Sequence, residues 1–168
     1  FKNCISFNTN LQKWNINRVN NMISTFENCT SFTGDGLENW NVSNVESMIN
    51  TFKNCTSFNI NLENWRPNSL VNMISTFENC TNFTGDGLEM WDVSNVEDMI
   101  STFENCVIFD ANLGNWIVDN VFTMEEMFKN CKIYKGEGLD NWNIENTQNF
   151  SEMFEGCDNI ILPVWATK

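Results

Sequence analysis

Seven cysteines and no histidine set the terms for any chemistry this chain could do. Without imidazole, the commonest general base and the commonest metal ligand are gone. Carboxylates and thiols remain. The cysteines stand at positions 4, 29, 55, 80, 106, 131 and 157, one in every 25 or 26 residues. Evenly spaced single thiols lack the close C-x-x-C pairs of a zinc site. They read instead as a ladder of buried free thiols filling a small apolar slot, since Cys is among the most buried residue types. The competing reading is disulfides between neighbouring units. These need Cα atoms within about 7 Å, whereas packed helices lie about 8–10 Å apart. An odd count would also leave one thiol over. Among the carboxylates, Asp35, Asp86 and Glu137 recur between paired glycines, and with Glu38 or Glu89 nearby they offer oxygen ligands to calcium. Their spacing matches no calcium loop, so solvated turns are the simpler reading. No catalytic residue, metal ligand or cofactor is assigned on these grounds, and the chain reads as a non-enzyme.

The elements that carry these residues are repeats. Phe1, Phe26, Phe52, Phe77, Phe103, Phe128 and Phe154 each open one phrase, with steps of 25 and 26 residues in alternation. A fixed period of this size predicts units that bury their apolar faces by stacking on one another. The whole of 1–168 reads as one domain of about six and a half units. It opens in mid-phrase without a start Met and so reads as part of a longer chain. With 14 Phe and 7 Trp there is ample material for a core. The formal charge of −13, with only 9 scattered basic residues, argues against nucleic acid as a partner. No apolar run approaches a membrane span, so no membrane insertion is expected of this segment.

Within a unit, Ser94 and Glu97 match the capping-box signature of a helix start, as do Ser43 and Glu46. Val96, Met99, Ile100, Phe103 and Cys106 then follow at helical offsets, predicting a helix of about ten residues. A turn leads to a second aromatic (Phe7, Phe32, Phe58, Phe83, Phe109 or Tyr134) and to loops of two alternating kinds. One kind carries a Gly pair and the other an Asn pair, or Asp and Asn. The segment from Leu37 to Val42 and its equivalents alternate in polarity and predict a short parallel strand. Pro67 would shorten or break that strand in the third unit. Position 2 of each unit (Lys2, Glu27, Lys53, Glu78, Glu104, Lys129, Glu155) predicts a cross-unit charge ladder with a break at Glu78–Glu104. Asn28, Asn54 and Asn79 lie in N-x-[ST] sequons, but they repeat with the phrase. A structural role in the turn that leaves the helix is the expectation for them.

The phrase W-[ND]-V-S-N-V-x-x-M-x-x-x-F-x-N-C, clearest from Trp40 to Val45 and from Trp91 to Val96, resembles the BspA-type surface-repeat family, also described as mycoplasma-lipoprotein-like repeats. The resemblance covers essentially the whole chain. It implies a leucine-rich-repeat-like solenoid, and a surface-exposed or secreted protein used for adhesion or other protein contacts. It does not imply an enzyme.

These readings combine into one expectation. The fold is a right-handed α/β solenoid with one short parallel strand and one short helix per unit, and with Trp14, Trp40, Trp65, Trp91, Trp116 and Trp142 in one column. Its function is to present an extended face to a protein partner. The alternative is a structural subunit that stacks end to end into a fibre. The expected contact surface is the outward side of the strands, taken as the concave face. It comprises Glu38, Asn39 and Asn41; Glu63, Asn64 and Arg66; Glu89, Met90 and Asp92; Asn115 and Ile117; and Asp140, Asn141 and Asn143. That surface is mostly acidic and amide-bearing, which suits a basic or polar partner. Solubilising residues with no partner would look the same.

Overall fold

A computed structural model describes residues 1–167, and it is built of turns. The units stack in register, but among the described residues there is no α-helix and no β-strand. Among the described residues, three short 3-10 segments, Leu88–Met90, Leu139–Asn141 and Val164–Thr167, are the only helical elements. The expected α/β solenoid of leucine-rich-repeat type is therefore corrected: the rungs are there without either regular element.

Backbone hydrogen bonding explains this. In the segment expected to be helical, the Thr25 amide donates to Met22 O, Cys29 to Phe26 O and Phe32 to Cys29 O. Each is an i→i−3 bond closing a β-turn. Residues Ser24 and Asn28, third in their turns, have φ of 54° and 63°. Positive φ at that place marks a type II turn and is incompatible with a helix. Every second amide points out of the rung altogether. Those of Met22, Ser24, Phe26 and Asn28 donate to Ser47, Ile49, Thr51 and Lys53 O of the next rung at 2.8–2.9 Å. An isolated parallel bridge runs through Asn21, Ser47, Asn72, Asp98, Thr123 and Asn149, but it never widens into a strand.

The helix-start signature serves a turn instead. Ser94 gives its amide and hydroxyl to Asp92 Oδ1, and the Glu97 amide goes to Val71 O of the previous rung. The strand expected from Leu37 to Val42 is likewise a chain of turns, with Trp40 N on Leu37 O and Val45 N on Val42 O. Pro67 consequently breaks nothing. The amides of its equivalents Val42, Val93 and Val118 make no backbone hydrogen bond either, so the missing donor is not missed.

The interior is a set of columns. Phe26, Phe52, Phe77, Phe103 and Phe128 stack with centroids 5.5–5.7 Å apart, and a second aromatic column from Phe32 to Tyr134 packs beside them. Buried Met48, Met73, Met99 and Met124 form another. Trp65, Trp116 and Trp142 donate Nε1 to Leu37, Leu88 and Leu113 O of the preceding rung at 2.8–3.0 Å, and Trp40 reaches Leu11 O at 3.3 Å. Trp165 continues the column onto Leu139 O. Trp91 is buried with its Nε1 unpartnered. Trp14, expected in the same buried or half-buried column, is 54% exposed on the first rung.

Candidate functional site

The residues that opened the sequence reading are structural. All seven cysteines are free thiols. Each thiol from Cys29 onward donates to the carbonyl of the Phe opening the preceding rung: Cys55 to Phe26, Cys80 to Phe52, Cys106 to Phe77 and Cys131 to Phe103, at 2.9–3.0 Å. With no α-helix among the described residues, helix spacing is not what argues against disulfides; each of these sulfurs is directed at a carbonyl instead. Burial pushes the Cys55 thiol up to about 12, and those of Cys80, Cys106 and Cys131 well above the ordinary range. A thiol so disposed is a poor nucleophile and a poor metal ligand. Among the described residues, no three His, Cys, Asp or Glu side chains come together to hold a metal ion. Asp35, Asp86 and Glu137 are exposed in their turns. Among the described residues, no helix is long and apolar enough to cross a membrane.

The asparagines after each Phe form a ladder of their own. Asn28, Asn54, Asn79, Asn105 and Asn130 each donate Nδ2 to Oδ1 of the Asn one rung earlier, at 2.6–2.9 Å. At Gly156 the ladder ends, because the residue in the Asn place has no side chain to donate to Asn130. The charge column pairs as its signs suggest. Lys2 meets Glu27 at 2.8 Å, Lys53 meets Glu78, and Lys129 gathers Glu126, Glu152 and Glu155. Glu104 has no cation of its own. Burial, then repulsion from Glu78 and Glu126, holds its carboxyl above the usual range despite the nearby Ser101 hydroxyl.

Of the expected contact residues, all but half-buried Glu38 are exposed. The concave strand face that was to carry them does not exist, because there are no strands. Several are occupied in holding turns. Glu38 accepts from Gly36 N at 2.9 Å, and Asn41, Asp92 and Asn143 accept from Ser43, Ser94 and Glu145 N. Asp140 accepts from Val164 N, and Asn141 reaches Gly114 O at 3.5 Å. Arg66 curls onto Glu63 O and Trp65 O of its own turn. Asn39 and Asn64 make a loose pair at 3.4 Å, and Glu63 Oε2 receives Asn61 at the same distance.

What the structure does bring together is Glu89, Met90, Asp92, Asn115 and Ile117, which line one shallow depression of about 410 Å3 between two rungs. A second depression of about 440 Å3 is lined by Asn95, Glu97, Asn120 and Phe122 of the same rungs. Phe122 was missed by sequence reasoning. Its signal was available, as an aromatic in a surface column otherwise made of Asn20, Glu46, Val71, Glu97 and Gln148. The arrangement holds no reactive constellation. It can bind through an apolar strip and a carboxylate rim.

A family model described as "Mycoplasma protein of unknown function, DUF285" matches residues 1–89 and, again, residues 61–165. No curated protein matches the chain.

Proposed function

We propose, from the premise that the chain belongs to the DUF285 family of Mycoplasma proteins, that it is a non-enzymatic repeat protein of the BspA surface type, presenting an extended face to protein partners at the cell surface or outside the cell. The observation that carries this reading is where the polar variation sits. Interior columns repeat the same residue types rung after rung, and the carboxylates and amides are concentrated on the outside, with Glu63 exposed on one rung and Glu89 and Asp92 on the next. A net charge of −13 on such a surface favours basic partners and fast, salt-sensitive encounter.

The test uses Glu63→Lys/Glu89→Lys, because Glu38 is tied into its own loop. Partners should be retained by the parent at low salt and lost in 1 M salt, where the screening length falls to about 3 Å. The variant should retain none. Retention that ignores both salt and the reversal would overturn the reading. End-to-end stacking of copies into a fibre is the second reading. Rods of many molecular lengths in electron micrographs of the pure protein would favour it.

A further inference from the structure

The geometry points to the two depressions on the rungs of residues 89–97 and 115–122 as one docking strip for a cationic peptide segment with apolar side chains. The inference rests on the contact-surface reading above and names where and what that surface binds.

The first observation is departure from the repeat. Met90 stands in a column whose other members are Lys13, Asn39, Asn64, Asn115 and Asn141. Ile117 stands among Asn15, Asn41, Arg66, Asp92 and Asn143. Both are lone apolar residues in polar columns, and Phe122 is the one aromatic in its own. They are 50%, 58% and 52% exposed, so none has been recruited to the core. Nothing in the stacking of rungs calls for them, since sister rungs stack with Asn, Lys, Arg or Asp at the places of Met90 and Ile117, and with Asn, Glu, Val or Gln at that of Phe122.

The second observation is that the three departures fall on adjacent rungs and beside one another. Met90 and Ile117 line one depression, and Phe122 lines the next. Surface hydrogen bonds from residues of the second lining hold these rungs together. Asn120 donates Nδ2 to Ser94 O at 2.7 Å, and Asn95 reaches Asn68 O at 3.3 Å, clipping each rung to its predecessor. A partner would meet a preorganised surface and lose little to ordering it.

The third observation is charge, and it chooses the occupant. The lining includes Glu89, Asp92 and Glu97, and no Lys or Arg. A second copy of this chain would bring another −13 against that rim. A segment alternating basic and apolar side chains would place cations at the rim and bury its apolar groups on Met90, Ile117 and Phe122. Aromatic and apolar anchors inside a polar rim are the usual anatomy of such contacts.

The test titrates the intact chain with short synthetic peptides alternating Lys with Leu, Lys with Ser, and Glu with Leu. The comparison variant is Met90→Asn/Ile117→Asn/Phe122→Gln. It puts back residues that sister rungs already carry, and its melting curve checks that it folds. The Lys–Leu peptide should bind the parent about tenfold tighter than the variant. The Lys–Ser peptide should bind both weakly and alike. Equal binding of the Lys–Leu peptide to parent and variant would overturn the strip, and the contact-surface reading would stand if Glu63→Lys/Glu89→Lys still abolished that binding. Glu–Leu binding as tight as Lys–Leu would overturn the cationic occupant and point to a partner such as a second copy. No binding of any of the three would overturn the inference outright.

Discussion

At the scale of the residue, Asn79 shows how one side chain can serve two requirements. It is third in the turn from Phe77 to Cys80, with φ of 60°. Its amide also links two rungs, giving Nδ2 to Asn54 and accepting from Asn105 at Oδ1. Asn tolerates the left-handed region better than most residues. Removing the side chain and removing the tolerance are separable. Asn79→Ala should cost about 2–4 kcal/mol, from the lost side-chain hydrogen bonds to Asn54, Glu78 and Asn105 and from the loss of Asn's tolerance for left-handed backbone. Asn79→Gly keeps the turn and should cost about 1–2 kcal/mol less. Denaturant midpoints of the two variants check this, and equal midpoints would mean the turn does not need positive φ. Gly156, where the ladder stops, already shows the Gly solution within the chain.

At the scale of the element, the unit is a rung of β-turns that cannot exist alone. A helix would satisfy its own amides; here the amides of Phe52, Asn54 and their like are satisfied only by the next rung. Burial concentrates at the same places. Phe77 is fully buried, stacked 5.5 Å from Phe52 and 5.7 Å from Phe103. Phe77→Ala should therefore cost about 3–5 kcal/mol, the range for a large core residue cut to Ala. Because stability in a stack is a sum of rung and neighbour terms, a cut at a middle rung should also uncouple the two halves. Thermal unfolding would show this as a lowered midpoint with a broadened or split transition. A midpoint within a degree or two of the parent would show that the aromatic column does not carry the stack.

At the scale of the whole molecule, stacking the rungs part-buries Glu104 beside the carboxylates of its neighbours. Its carboxyl is raised by burial and by Glu78 and Glu126 on neighbouring rungs. A carboxyl with a folded pKa above its unfolded value binds its proton more tightly in the folded chain. Its contribution to stability is therefore present below the unfolded value near 4.5 and is lost as pH rises through the folded value. Glu104→Gln has no proton to lose, and its Oε1 can still accept from Asn105, as Glu104 does at 3.2 Å. The variant should gain on the parent as pH goes from 4 to 7, with a melting point on the order of 1–3 °C higher at neutral pH. A difference that does not change with pH would show that Glu104 is not held above its usual range.

The rung length, the in-register columns and the buried positions were open to reading in the sequence, because a residue type recurring at one phase must occupy one line along the stack. The sign pattern of Lys2–Glu27 and Lys53–Glu78 was legible for the same reason. Local conformation was not. Val96, Met99, Phe103 and Cys106 have the spacing of a helix face, but successive i→i−3 turns also bring every third or fourth residue inward, so periodicity cannot separate the two. What decides is where the remaining amides go, and that depends on the neighbouring rung's carbonyls, which exist only once the rungs have stacked. The same holds for the surface. Met90 and Ile117 were visible as exceptions, but only stacking put them in one depression and Phe122 in the next; the bonds that hold Asn41, Asp92 and Asn143 are local, each to the amide two residues on.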